Sequence, residues 1–199
     1  RCIVIVTSGN LSTSQHVYKT LQNDLNSKNP INSLNICKNF DDIADYVGQI
    51  SWNHSKTDGI SFNTHLGSNF IIGGQIQGQD PDLMMVYPVG NYIRASEIKP
   101  FFQLGETKYG KPILDRLIRN DTSLGDAARC ALVSFDSTMK SDLTVGPPID
   151  LIVYKKDTIQ ISQEEHLQFK TPFFSDLSSK WSEGLRNLFK ELPKFDWEK

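Results

Sequence analysis

The stretch that most constrains this chain is Ala127 to Tyr154, AARCALVSFDSTMKSDLTVGPPIDLIVY. It reads as a helix, a polar loop and then a buried strand. Ala127, Ala128, Ala131, Leu132 and Phe135 recur three or four apart, which places small and apolar side chains on one helical face. Small residues there let the helix axis come close to whatever it covers. Ile149 to Val153 is short and almost wholly apolar, the pattern of a strand buried on both faces. Between them, Gly146-Pro147-Pro148 stiffens the loop, because proline locks φ and biases the residue before it toward extended geometry. Such a loop can hold a site or simply be well-built surface, and the residues alone leave both readings open.

A chain of 199 residues can bury one full core, which points to a single domain over residues 1–199 with a short tail from residue 193. A net charge of −2, with no basic stripe interleaved with aromatics, argues against nucleic acid as a partner. No apolar run approaches the roughly 18 residues of a membrane span, so no membrane partner is expected. Cys2, Cys37 and Cys130 are odd in number and scattered, which fits neither a disulfide framework nor a zinc pattern. A reducing, cytoplasmic setting is the expectation.

Taken in order, Arg1 to Val6 is a strand with nothing before it, which suggests that the sequence continues a longer protein. Thr7-Ser8-Gly9-Asn10 turns it into a helix whose buried stripe is Val17, Tyr18, Leu21 and Leu25, capped by Asn10 or Ser12. A second helix starts near Phe40 with Asn39 as its cap and Ile43, Val47 and Ile50 inward, and residues 55–63 read as a loop. Ser68 to Gln77 and Leu83 to Ile93 read as a hairpin, with Gly73-Gly74 marking a bulge or a close backbone approach. Phe101 to Leu104 reads as a short strand, Lys108 to Ile118 as a helix, and Ser123 with Asp126 as a capping box. Lys155-Lys156-Asp157 turns the strand at Ile149 into another at Thr158 to Ser162. The last helix starts at Thr171-Pro172 and runs to Pro193, with Phe173, Phe174, Leu177, Trp181, Leu185, Leu188, Phe189 and Leu192 at helical spacing. Helices in pairs with strands grouped between them indicate a layered α+β fold, with two stacked sheets and helices outside both.

Ser137-Thr138-Met139-Lys140 matches S-x-x-K, but it falls at the end of a helix rather than its start, and K-T-G is absent. His16, His54, His65 and His166 lack metal-ligand spacing, so neither a metal nor any other cofactor is expected. Ser8-Gly9-Asn10 lies between a strand and a helix start, where free backbone N–H groups can face an anion or a developing oxyanion. The same glycine can equally serve only the turn.

Three longer stretches are specific: Tyr87 to Asn91 (YPVGN), Pro100 to Arg116 (PFFQLGETKYGKPILDR) and Cys130 to Met139 (CALVSFDSTM). On these, with VTSGNL at Val6–Leu11 and WSEGLR at Trp181–Arg186, the chain resembles the bacterial proteasome-related "ancestral beta subunit" family, Anbu. The resemblance covers nearly the whole chain. It implies a four-layer αββα sandwich of the N-terminal-nucleophile hydrolase type, as in proteasome β subunits, with the first strands missing from this chain. It also implies a threonine peptidase acting on peptide or unfolded polypeptide, assembled as a homo-oligomeric ring or open spiral, and it names no unfoldase partner. The nucleophile of such enzymes is an N-terminal threonine, a role Arg1 cannot fill, so the chain as it stands is expected to be inactive.

By the same resemblance, Gly9 matches the oxyanion-hole glycine, and Thr7, Ser8, Asn10 and Leu11 match the rim that binds substrate. Asp142 and Gly146 match a loop that supports the N-terminal amine, and Glu106 stands where relatives carry a supporting serine. Val145 stands where relatives carry a hydroxyl. These two departures favour the alternative, a non-catalytic assembly or scaffold subunit with the same fold.

Overall fold

The β-branched run at the start of the chain forms β1 (Cys2–Gly9) in the computed structural model, which describes residues 1–57 and 67–198. The strand reaches Gly9 rather than ending at Val6, and the turn into α1 (Leu11–Asn26) is the single residue Asn10. The described residues group into two units: Arg1–Thr107, Arg119–Asp121 and Tyr154–Ser162 in the first, and Lys108–Ile118, Thr122–Val153 and Gln163–Lys199 in the second.

The first unit holds a four-stranded antiparallel sheet in the order β1-β2-β3-β4, with β2 at Ser68–Gln75, β3 at Asp82–Val86 and β4 at Tyr92–Arg94. The expected long strand from Leu83 to Ile93 is two strands, because Tyr87 to Asn91 is a turn. Gly90 has φ +89°, and Tyr87 N–H donates to Asn91 O while Gly90 N–H donates to Tyr87 O. Gly73 and Gly74 keep the β1–β2 register unbroken, so they mark a close approach and not a bulge. A Cβ on Gly74 would stand 2.1 Å from the carbonyl oxygen of Cys2.

Alternate residues of the sheet, Ile3, Ile5, Phe70, Ile72, Met84 and Val86, share one core with α1 and with α2 (Phe40–Thr57). From α1 only Val17 and Leu21 enter it. Tyr18, 62% exposed, and Leu25 stay outside, since the face turned to the sheet is narrower than the apolar set in the sequence. Asn39 caps α2 by accepting from the N–H of Asp42, and the helix continues through residue 57. The remainder of the loop read at 55–63 lies outside the described residues. Phe101 to Leu104 pairs with no strand among the described residues.

In the second unit α3 (Lys111–Leu117) starts three residues later than expected, because Lys108 to Gly110 form a turn that ends with Gly110 as N-cap. Helix α4 (Leu124–Met139) starts at the capping box: Ser123 Oγ accepts from Asp126 N–H at 3.1 Å and donates to Asp126 Oδ2 at 2.6 Å. Its buried residues are Cys130, Leu132, Val133, Ser134, Asp136 and Thr138; of the face expected, Leu132 is buried, Ala127, Ala128 and Ala131 are half-buried, and Phe135 is 45% exposed. The missing side chain of Gly110 lets α3 lie against Ser134 and Thr138.

Strands β5 (Ile149–Tyr154) and β6 (Ile161–Leu167) form a separate two-stranded sheet. Residues 155–160 between them form a longer turn than expected, with Asp157 and Ile159 at positive φ. Ile149 is buried, but Ile152 is exposed, so this strand is not covered on both faces as its composition suggested. Leu132, Ile149, Leu167 and Phe174 make the core of this unit. Helix α5 (Pro172–Lys190) stops three residues before Pro193, and of its apolar stripe only Phe174 is fully buried. A final 3-10 turn spans Asp196–Glu198. No described helix is long and apolar enough to cross a membrane.

Candidate functional site

The segment Thr7 to Leu11 sits where β1, the outer strand of the described sheet, meets the N-terminus of α1. Gly9 is exposed, has φ +124° and pairs in register with Ser68. No side chain fits there: a Cβ would stand 2.6 Å from the carbonyl oxygen of Gly67 and 2.9 Å from Ser68 Cα. Asn10 N–H donates to Gly67 O at 3.2 Å. Hydrogen-bonded and non-bonded pairs alternate along an antiparallel ladder, so Asn10 opposite Gly67 is bonded and Gly9 opposite Ser68 is not. The Gly9 N–H therefore turns away from β2, toward the side of β1 that pairs with no strand among the described residues, and so does the N–H of Thr7.

Three hydroxyls hold this turn. Asn10 O accepts from Ser68 Oγ at 2.8 Å and from Ser14 Oγ at 3.1 Å, and the two hydroxyls lie 3.1 Å apart. Thr7 Oγ1 joins them, 2.9 Å from Ser14 Oγ. The Asn10 side chain accepts from Thr13 N–H at 3.2 Å and caps α1. Thr7 and Asn10 are thus engaged in shaping the turn. Leu11 is exposed on the first turn of α1, and Ser8 lies on the sheet face opposite Thr7, beside Gly105. Glu106 follows Gly105, is half-buried, and its carbonyl accepts from Gln103 Nε2 at 3.5 Å.

None of the hydroxyls at the turn is set up as a nucleophile. Thr7, Ser14 and Ser68 bond one another and a carbonyl, with no base among these partners. Ser12 Oγ and His54 Nε2 are 3.4 Å apart, and the His54 ring stacks on His16 at 4.0 Å. His166 Nδ1 lies 2.6 Å from Asp150 Oδ1, and His65 lies outside the described residues. No group of three or more His, Cys, Asp or Glu among the described residues could hold a metal ion, and the three cysteines are free. What the turn offers is a backbone donor beside a helix N-terminus, turned away from β2.

Asp142 belongs to the second unit, in the loop after α4. Its Oδ1 accepts from Thr144 N–H at 2.8 Å and from Thr144 Oγ1 at 2.6 Å. The Thr144 hydroxyl, then its N–H, and Lys108 nearby hold this carboxyl below the usual carboxylate range. Gly146 follows in the same loop, ahead of a cis Pro147–Pro148 bond. Sequence reasoning missed Ser14 and Ser68. A helical serine and a strand serine 54 positions away carry no local signal that they meet.

No protein-family model and no curated protein matches the chain. Solved structures do. The chain is similar to Anbu from Hyphomicrobium sp. strain MC1, at 40% identity with TM-score 0.88, over 98% of this chain and 81% of that one. It is similar to Anbu (ancestral beta-subunit) from Yersinia bercovieri at 35% identity, TM-score 0.91, over 98% and 81%. It is also similar to the helical assembly of the Anbu complex from Pseudomonas aeruginosa at 41% identity, TM-score 0.90, over 97% and 80%.

Proposed function

The chain belongs to the Anbu family, and from that premise we propose that it is a subunit of a proteasome-related homo-oligomer whose full-length form hydrolyses peptides. The observation that carries the reading is the N–H of exposed Gly9, turned away from β2 at the outer edge of the described sheet, beside the N-terminus of α1. A peptide would add to this edge as a strand, with Ser8 and Leu11 beside it and its scissile carbonyl oxygen toward Gly9. An N-terminal threonine would attack that carbonyl, its own amine taking the proton, and Asp142 and Glu106 would support the amine. Since Arg1 has no nucleophilic side chain, the 199 residues alone are expected to show no turnover. The same reading gives the fold four layers, αββα, of the N-terminal-nucleophile type, in one proteasome-subunit-like domain, and places the protein in the cytoplasm.

Gly9→Val in the full-length protein tests it. Valine keeps the backbone N–H but cannot adopt this backbone, and displacing one oxyanion donor should cost about 10²- to 10³-fold in kcat. Gly78→Ala is the control, because Gly78 also has positive φ but a Cβ there meets nothing within 4 Å. Loss of hydrolysis in Gly9→Val with activity kept in Gly78→Ala supports the reading, and unchanged hydrolysis in Gly9→Val refutes it.

One observation favours a non-catalytic scaffold subunit instead. The Asp142 carboxylate is bonded by Thr144 of its own loop, and Val145 brings no hydroxyl. Intact mass and N-terminal sequencing of the mature full-length protein separate the two readings: a first residue of Thr, Ser or Cys is required by the peptidase.

A further inference from the structure

A cavity of about 210 Å³ lies in the second unit, against α4 and the start of α5, and the peptidase reading makes no use of it. Its volume is below the roughly 300 Å³ at which drug-sized pockets begin. One end is charged. Asp136 is 5% exposed, and its Oδ1 accepts from Ser178 Oγ at 2.5 Å. Lys140 Nζ stands 3.6 Å from the same oxygen, beyond hydrogen-bond length, with its side chain 57% exposed. The second carboxylate oxygen, Oδ2, is buried without a hydrogen-bond partner. A buried carboxylate that is only half satisfied is costly, and Lys140 stops short of satisfying it. The other end is apolar, walled by Met139, Phe169 and Phe174.

We infer that this cavity binds a free apolar α-amino acid, with its ammonium on Asp136 and Ser178, its carboxylate on Lys140 and its side chain among Met139, Phe169 and Phe174. An anion and a cation 3.6 Å apart match the two charges of a zwitterion, which a single carbon separates. The ammonium donates to the Asp136 carboxylate, whose Oδ2 has no other donor, and to the Ser178 oxygen. The ligand carboxylate draws Lys140 from its loose pairing into a direct ion pair. A peptide holds its terminal charges at least one further residue apart, about 3.3–3.6 Å more, and cannot reach both groups.

Calorimetric titration of the protein with L-leucine tests the site without any need for turnover, so its result stands apart from the fate of the peptidase reading. Leucine is expected to bind saturably. N-acetyl-leucine, leucinamide and the dipeptide Leu-Leu are each expected to bind at least tenfold more weakly, since each loses a charge-assisted contact or its spacing. Lys140→Met, with folding checked by circular dichroism because Lys140 also faces the buried Asp136 carboxylate, is expected to weaken leucine at least tenfold, as is Asp136→Asn. No saturable leucine binding, binding of any of the three analogues as tightly as leucine, or full affinity in Lys140→Met would overturn the inference.

Discussion

Gln75 is buried in β2, and both ends of its amide are bonded. Its Nε2 donates to Gln79 O at 2.6 Å and Asp157 Oδ1 at 2.7 Å, while its Oε1 accepts from Asp157 N–H at 2.7 Å and from the Tyr154 hydroxyl. Asp157 sits at φ +67°, a backbone that few residues other than glycine adopt easily, and these bonds hold it there. Gln75→Leu keeps the volume and removes all four bonds, leaving buried partners unpaired. It should cost about 2–4 kcal/mol in urea unfolding. A loss below about 0.5 kcal/mol would show that water replaces the amide. Nothing near Gln75 in the sequence announces this role, since its partners beyond Gln79 lie about 80 positions away. Gly9, by contrast, is legible from its neighbours, because a glycine between a strand and a helix cap signals an unusual φ whatever the rest of the chain does.

Among elements, the approach of α3 to α4 depends on one missing side chain. A Cβ on Gly110 would stand 2.2 Å from Ser134 Oγ and 2.9 Å from the Ser134 carbonyl oxygen. The hydroxyl can turn away but the carbonyl cannot, so Gly110→Ala should force the helices apart at a cost of about 1–3 kcal/mol. Gly184, inside α5, has nothing within 4 Å, and Gly184→Ala should stabilise by about 0.5–1 kcal/mol through helix propensity alone. Thermal melts of the two variants should therefore move in opposite directions. A second link between elements is ionic. Arg94 on β4 bonds Asp41 on α2 at 2.8 Å and Asp82 on β3 at 2.9 Å. Arg94, and then the Tyr92 hydroxyl, hold the Asp41 carboxyl below its ordinary value. A carboxyl depressed in the folded state stabilises the fold above its unfolded pKa near 4, and that contribution is lost as pH falls through the lower folded value. Arg94→Met should raise the Asp41 titration midpoint, followed by carboxyl-carbon NMR, and lessen the loss of stability below about pH 4. An unmoved Asp41 midpoint would rule this pairing out as the cause.

For the molecule as a whole, the proposed assembly makes the most direct forecast. At micromolar concentration the protein should sediment as a multi-copy species whose size rises with concentration, and a monomer throughout would count against the subunit reading. Element order and type were largely legible: the cap at Asn39, the capping box at Ser123 and the Pro172 start of α5 all lie where their residues put them. The errors share a cause. Tyr18 and Leu25 on α1, Phe135 on α4 and Ile152 on β5 are apolar residues whose spacing predicted burial and which are exposed. Periodicity shows that an apolar face exists but not how much of it a neighbouring layer covers. Caps, turns and the strained glycine are decided within a few residues, by dihedral sterics and by hydrogen bonds spanning one helical turn, so the sequence by itself determined them. The meeting of Ser14 with Ser68 at Asn10, the outward aim of the Gly9 N–H and the burial of Asp136 beside Ser178 were decided only by the tertiary structure. Each depends on strand register or helix packing that joins residues 42 to 59 positions apart, and no local pattern encodes such a distance.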